Sequence, residues 1–161
     1  MRYLLFLSSF FSVAATAQQL SIPQVLQVTQ WNTMRADSLL KEQAFVLAQK
    51  DRDSVSQLRY YTSLERNPDA TSWIRSVTLM DAQVKGYTGR MVTYRTYNKA
   101  EYNQWLQWLL ENGYQTIKNY TAGTEQYTIY RNGKQEFLIR RGEGELAKNK
   151  KARFYELETG R

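Results

Sequence analysis

The chain has 161 residues, 42% of them hydrophobic, with 22 Lys and Arg against 15 Asp and Glu for a formal net charge of +7, and it contains neither cysteine nor histidine. Those two absences exclude disulfides, thiol nucleophiles, Ser-His-Asp and Cys-His arrangements, and thiolate or imidazole metal sites. The basic balance suits an anionic partner, but plain solubility is the reading it favours.

The first element is a leader. Arg2 precedes an apolar run over residues 3–11, interrupted only by Ser8 and Ser9, and small residues end it at Ala15-Thr16-Ala17 before the polar pair Gln18-Gln19. This order predicts a cleavable signal peptide over residues 1–17. The run is far shorter than the ~20 residues a spanning helix needs, and no later segment approaches that length. No cysteine follows to carry a lipoprotein-type anchor. The expectation is an exported protein, periplasmic or extracellular, with no transmembrane segment after cleavage. Residues 18–161 then form one α+β domain of ordinary size.

A first helix is predicted from between residues 25 and 31 to near Gln43, after Ile22-Pro23. Strand-like runs rich in aromatic and β-branched residues follow at 45–49, 57–64, 73–80 and 91–97. Polar breaks separate them at Asp51-Arg52-Asp53-Ser54, at Asn67-Pro68-Asp69 and around Lys85-Gly86-Tyr87-Thr88-Gly89. A second helix is predicted over 99–112, with Asn98 as its cap, Glu101 placed for a capping box and Gly113 as its left-handed stop. Tyr102, Trp105, Leu106 and Leu109 share one face of it, while Asn103, Gln104, Gln107 and Glu111 share the other. Strands follow at 114–118, 125–131, 135–140 and 152–158, broken at Thr121-Ala122-Gly123, at the Asn132-Gly133 hairpin turn and by a loop over 142–151.

The two series repeat. Residues 39–45 align without gaps on 108–114, an offset of 69 that matches Leu40 with Leu109 and Glu42 with Glu111 identically. Each half, about 25–97 and 98–161, reads as one helix plus four antiparallel strands. Neither unit covers its own sheet, so the expectation is a duplicated helix-plus-four-strand fold sharing an eight-stranded antiparallel sheet with two helices on one face. In architecture alone this resembles the TATA-binding protein and β-lactamase inhibitor protein families. No motif links the sequence to either, so the resemblance implies no function.

Motifs that carry chemistry are few. Asp51-Arg52-Asp53 fails as a calcium loop, because Val55 stands where a third oxygen ligand belongs and Thr62 replaces the bidentate glutamate. Gly142-Glu143-Gly144-Glu145 lacks the Lys-Ser/Thr of a phosphate loop and reads as an acidic hairpin loop. Carboxylate-pair chemistry has candidates in Glu65, Asp69, Asp81, Glu136, Glu143, Glu145 and Glu156, none singled out by spacing. Trp31, Trp73, Trp105 and Trp108 read as core, with a ligand cavity as the alternative.

Two surface features remain. Tyr60, Tyr61, Tyr94, Tyr97, Tyr127, Tyr130 and Tyr155 fall in strands, several beside Arg59, Arg95 and Arg131; most read as packing, a few as an open recognition face. Arg140, Arg141, Lys148, Lys150, Lys151 and Arg153 surround one hairpin and form a candidate surface for an anionic partner, an envelope protein or acidic glycan. Nucleic acid is disfavoured, since an exported protein rarely meets it. The reading favoured is a non-catalytic exported binding module without cofactor or metal. The alternatives are a carboxylate-based hydrolase acting on glycans and a carrier of a small apolar ligand.

Overall fold

A computed structural model describes residues 19–63, 75–84, 87–147 and 150–160. The leader, the break at Asn67-Pro68-Asp69, the ends of two predicted strands at Leu64 and Trp73, Lys85-Gly86 and Lys148 lie outside the described residues. The elements run α1 (Ile22–Gln30), α2 (Thr33–Glu42), β1 (Phe45–Arg52), β2 (Ser56–Ser63), β3 (Arg75–Val84), β4 (Tyr87–Thr96), α3 (Lys99–Glu111), β5 (Gln115–Ala122), β6 (Glu125–Asn132), β7 (Gln135–Ala147) and β8 (Lys150–Gly160).

The single first helix expected from the sequence is two helices. Ser21 and Gln24 form a capping box that starts α1, and Pro23 sits in its first turn, where no helical donor is lost. The chain turns extended at Trp31, and the Asn32 side chain accepts from Arg35 N at 3.0 Å to start α2. The break is held from the sheet. Arg90 of β4 donates to the Val28 and Trp31 carbonyls at 3.1 and 2.6 Å and to Thr33 Oγ1 at 3.0 Å, while Asp81 of β3 balances its charge. A guanidinium thus satisfies carbonyls that another helical turn would have bonded, at the end where the helix dipole favours a cation.

The eight strands form one antiparallel sheet in the order β1-β2-β3-β4-β8-β7-β6-β5. Each series of four is a meander, and the last strand of each series meets the other at the centre, with Thr93 of β4 opposite Glu158 of β8. The outer strands enter alike. Ala44 and Gly113 both hold positive φ, 58° and 73°, just after their helices. Gln43 N bonds Leu39 O, and Asn112 N bonds Trp108 O. The register slips between Leu47 and Gln49 in β1, and between Thr116 and Lys118 in β5. Every one of these pairs keeps the 69-residue offset of Leu40 and Leu109.

Alternate strand residues build the core with the helices. Tyr61, Val77, Leu79, Val92, Tyr94, Phe137, Ile139 and Leu157 belong to one cluster with Val25, Val28, Leu40, Trp105 and Leu109. Each fully buried Val or Leu contributes roughly 1.5–3 kcal/mol. Glu101, placed for a capping box, turns inward instead. It is 2% exposed, accepts from Arg75 Nε at 2.5 Å and Tyr94 Oη at 3.0 Å, and ties α3 to β3 and β4. Asn98 still caps α3 through Ala100 N at 2.8 Å.

Two expected breaks are strand. Tyr87, Thr88 and Gly89 pair with Val84, Gln83 and Ala82 in the β3–β4 ladder. The loop expected over 142–151 is the tip of a long β7–β8 hairpin, with Glu143 opposite Arg153 and Glu145 opposite Lys151. Opposite charges across a strand pair support pairing where the residue types alone favour a turn.

Candidate functional site

Residues of the other parity in each strand form the second face of the sheet, and its two regions differ in chemistry. The first is centred on Phe154 of β8. Beneath its ring, β7 presents Gly142 and Gly144, where an added Cβ would meet ring atoms at 3.0 and 3.2 Å. The glycines supply a flat bed that no other residue would leave, and the ring covers the backbone they expose. Two guanidiniums lie over the ring, Arg95 from β4 at 4.6 Å and Arg140 from β7 at 5.2 Å from the centroid. Both pair with Glu156, whose side chain is 8% exposed.

This group continues toward the β5 edge. Arg140 also reaches Glu125 at 3.2 Å, Glu125 accepts from the Tyr127 hydroxyl, and Tyr127 stacks on Tyr120 with centroids 4.8 Å apart and planes 4° from parallel. The hydrogen bond to Glu125 pushes the Tyr127 hydroxyl pKa up. Burial pulls Arg140 down, but Glu156, Tyr127 and Glu125 outweigh it and its net shift is upward. These groups are spent on one another. Their geometry is that of a rigid, charge-balanced platform, with the cations held flat.

The second region is an open hollow of about 560 Å³ lined by Met80 and Ala82 of β3, Gly89, Arg90 and Met91 of β4, Tyr120, Ile129, Glu136 and Leu138 of the second series, and Glu158, Thr159 and Gly160 of β8, with the Arg90 guanidinium bound to Asp81 and the α1 carbonyls. The sheet curves so that β3 and β5 line one hollow although three or more strands separate them. Met80, Met91, Ile129 and Leu138 are half-buried. Two carboxylates stand among them. Glu136 is paired with Arg131, whereas Glu158 accepts only from Thr93 Oγ1, at 3.4 Å, among the described residues.

Of the six cations read as one anionic-partner surface, Lys148 lies outside the described residues, and the hairpin distributes the other five. Arg140 lies on Phe154. Arg141 and Arg153 line a separate hollow with Glu143, on the opposite side of the hairpin from Phe154. Lys151 stands exposed opposite Glu145, and Lys150 pairs with Ala147 in the ladder. The tyrosines divide in the same way: Tyr61, Tyr94 and Tyr155 are core, Tyr130 packs against it, and Tyr60 and Tyr127 face the other side half-buried. Of the neighbouring arginines, Arg59 bonds Thr33 and Gln57, Arg95 lies on Phe154, and Arg131 pairs with Glu136.

At the turn once weighed for calcium, Asp53 accepts from Val55 N at 2.8 Å, Ser56 N at 2.6 Å and Ser56 Oγ at 2.8 Å. Those bonds pull its pKa below the usual carboxylate value, that to Val55 most, and they use the oxygens a cation would need. No group of acidic residues placed to hold a metal ion occurs among the described residues.

Sequence reading missed Phe154 and the methionines. Phe154 has a signal, Gly142 and Gly144 one residue apart in a strand, legible only once the register sets them beside it. Met80 and Met91 pair directly across β3 and β4, with no local pattern to mark them. The chain matches no protein family, no curated protein and no solved structure.

Proposed function

We propose that the chain is an exported, non-catalytic recognition protein that binds a partner on the second face of its sheet. In this reading residues 1–17 direct export to the periplasm or beyond. Within residues 18–161, α2 with β1–β4 and α3 with β5–β8 are two copies of a helix-plus-four-strand unit, α1 is added before the first copy, and the helices gather on one face and leave the other to the partner. The shared 69-residue offset of the helix ends, positive-φ residues and edge bulges supports the duplication. The observation that carries the binding function is the cavity of about 560 Å³ among Met80, Met91, Ile129 and Leu138, beside the Phe154 platform. Half-buried methionines and the exposed Tyr120 on a curved sheet form the kind of surface a partner covers.

The test is a binding assay with the secreted protein immobilised against an envelope fraction. Thr93→Arg places a long cation at the centre of the second face and should abolish capture of a specific partner. Gln104→Arg, on the exposed side of α3, should leave it unchanged. Capture that survives Thr93→Arg rejects this face as the binding surface. Glycan hydrolysis lost on Glu158→Gln in a folded variant rejects the non-catalytic reading and installs the hydrolase alternative.

A further inference from the structure

The cavity and the Phe154 platform occupy counterpart positions. Thr93 and Glu158 face each other at the middle of the sheet. Four residues before Thr93 in β4 stands Gly89, with Ala82 opposite; four residues before Glu158 in β8 stands Phe154, with Gly142 opposite. On one side an aromatic ring fills the place. On the other there is no side chain at all, and the hollow opens there.

We infer that this hollow takes an aromatic side chain of a partner polypeptide, with a lysine or arginine next to it in the partner's sequence. The inference rests on the reading of the second face as a binding surface and names what that surface selects. The lining suits a ring, since Met80 and Met91 are flexible and polarizable and Tyr120 and Ile129 supply flat apolar contact. Size permits it as well: the hollow, open to solvent, offers about 560 Å³, room for one ring to lie against its floor with the next residue at its mouth.

Charge decides the neighbour. Glu156 is clamped between two arginines, but Glu158, lining the hollow, has no cationic partner among the described residues. A carboxylate in apolar surroundings gains most from a cation brought to it, and it repels phosphates and acidic glycans. Of the charges at the hollow, Arg90 is bound to Asp81 and Glu136 to Arg131, which leaves Glu158 as the carboxylate a partner's cation would meet. Neighbouring Cα atoms lie about 3.8 Å apart, and a lysine's flexible four-carbon stem lets its ammonium turn back toward the hollow that holds the ring beside it.

The probes are the blocked dipeptides Ac-Phe-Lys-NH2, Ac-Phe-Glu-NH2 and Ac-Ala-Lys-NH2, titrated into the secreted protein with methionine methyl groups followed by NMR. Ac-Phe-Lys-NH2 should shift the Met80 and Met91 methyls and leave that of Met34, exposed on α2, in place. It should bind at least about 10-fold more tightly than either other peptide, a difference of about 1.4 kcal/mol. Glu158→Gln should erase the preference for Lys over Glu while keeping the preference for Phe over Ala. Gly89→Leu should remove binding of all three. Equal binding of the Lys and Glu peptides overturns the inference, as does a shift confined to Met34 or none at all. Partner capture that is still lost with Thr93→Arg would then leave the binding face standing without this selectivity.

Discussion

Phe154 and Gly89 occupy matching places on one sheet and produce opposite surfaces. Around Phe154 Arg95, Arg140, Glu125, Glu156 and Tyr127 bond one another, the ring is 3% exposed, and two arginines are fixed against it by one glutamate. Around Gly89 the side chains are apolar and flexible, and Glu158 lacks a cation among the described residues. One backbone arrangement yields a rigid platform where it supplies its own ring, and a receptive hollow where it does not.

The strongest way to break this comparison is to remove the ring. Phe154→Ala should cost about 3–5 kcal/mol in urea unfolding, since it empties a packed site over two glycines. Met91→Ala, half-exposed in the hollow, should cost less than about 2 kcal/mol. Equal costs would mean that the platform is no more tightly built than the hollow. The carboxylates sharpen the same contrast. Glu156→Gln should cost about 2 kcal/mol, because it removes the carboxylate between two partly buried guanidiniums and leaves Arg140 only its longer contact to Glu125. Glu158→Gln should stay within about 0.5 kcal/mol of the parent.

The helix ends give a third comparison. Ala44 holds the left-handed conformation that Gly113 adopts without steric cost. Ala44→Gly should gain about 0.5–1 kcal/mol, and Gly113→Ala should lose a similar amount. The loss comes from the backbone, since an added Cβ at Gly113 would meet Asn132 Nδ2 at an ordinary 3.6 Å. Paired thermal melts read both, and shifts of the same sign for the two would show that these turns are not equivalent.

The smallest effect at neutral pH is at Tyr61 and its offset counterpart Tyr130. Burial, then the bond to Asp37, pushes the Tyr61 hydroxyl well up, and burial raises Tyr130 less. A folded pKa above the unfolded value of ~10 means stability that is full below pH ~10 and lost as pH rises past it. Tyr61→Phe should flatten the fall in stability above pH 10, and Tyr130→Phe should flatten it less. An unchanged alkaline limb in Tyr61→Phe would show that its hydroxyl titrates in the folded protein as freely as in the unfolded one.

The sequence carried much of this fold because its signals were local. Alternating strand residues, the Asn98 cap and the Asn132-Gly133 turn act within a few residues of themselves. The break at Trp31 was harder to read, because half of its cause, Arg90, lies almost sixty residues away. Glu101 looked like a cap until Arg75 and Tyr94 were brought beside it. The site was less legible still: Phe154, Met80 and Met91 acquire meaning from strand register, and of the hairpin cations Arg140 falls on one face while Arg141 and Arg153 fall on the other by strand parity.

The bulges in β1 and β5 bear on how copies of the chain meet. Both strands are sheet edges, and Val46, Leu47 and Ile117 are each 45% exposed on them. Straight edges with such residues would offer a template for strand after strand from neighbouring copies, the route to fibres. The extra residue in each edge, Ala48 and Ile117, breaks the regular spacing of donors and acceptors there, while Lys50 and Lys118 make like edges repel. The bulges thus work against further strands pairing at either edge, and deleting Ala48 should promote self-assembly through β1.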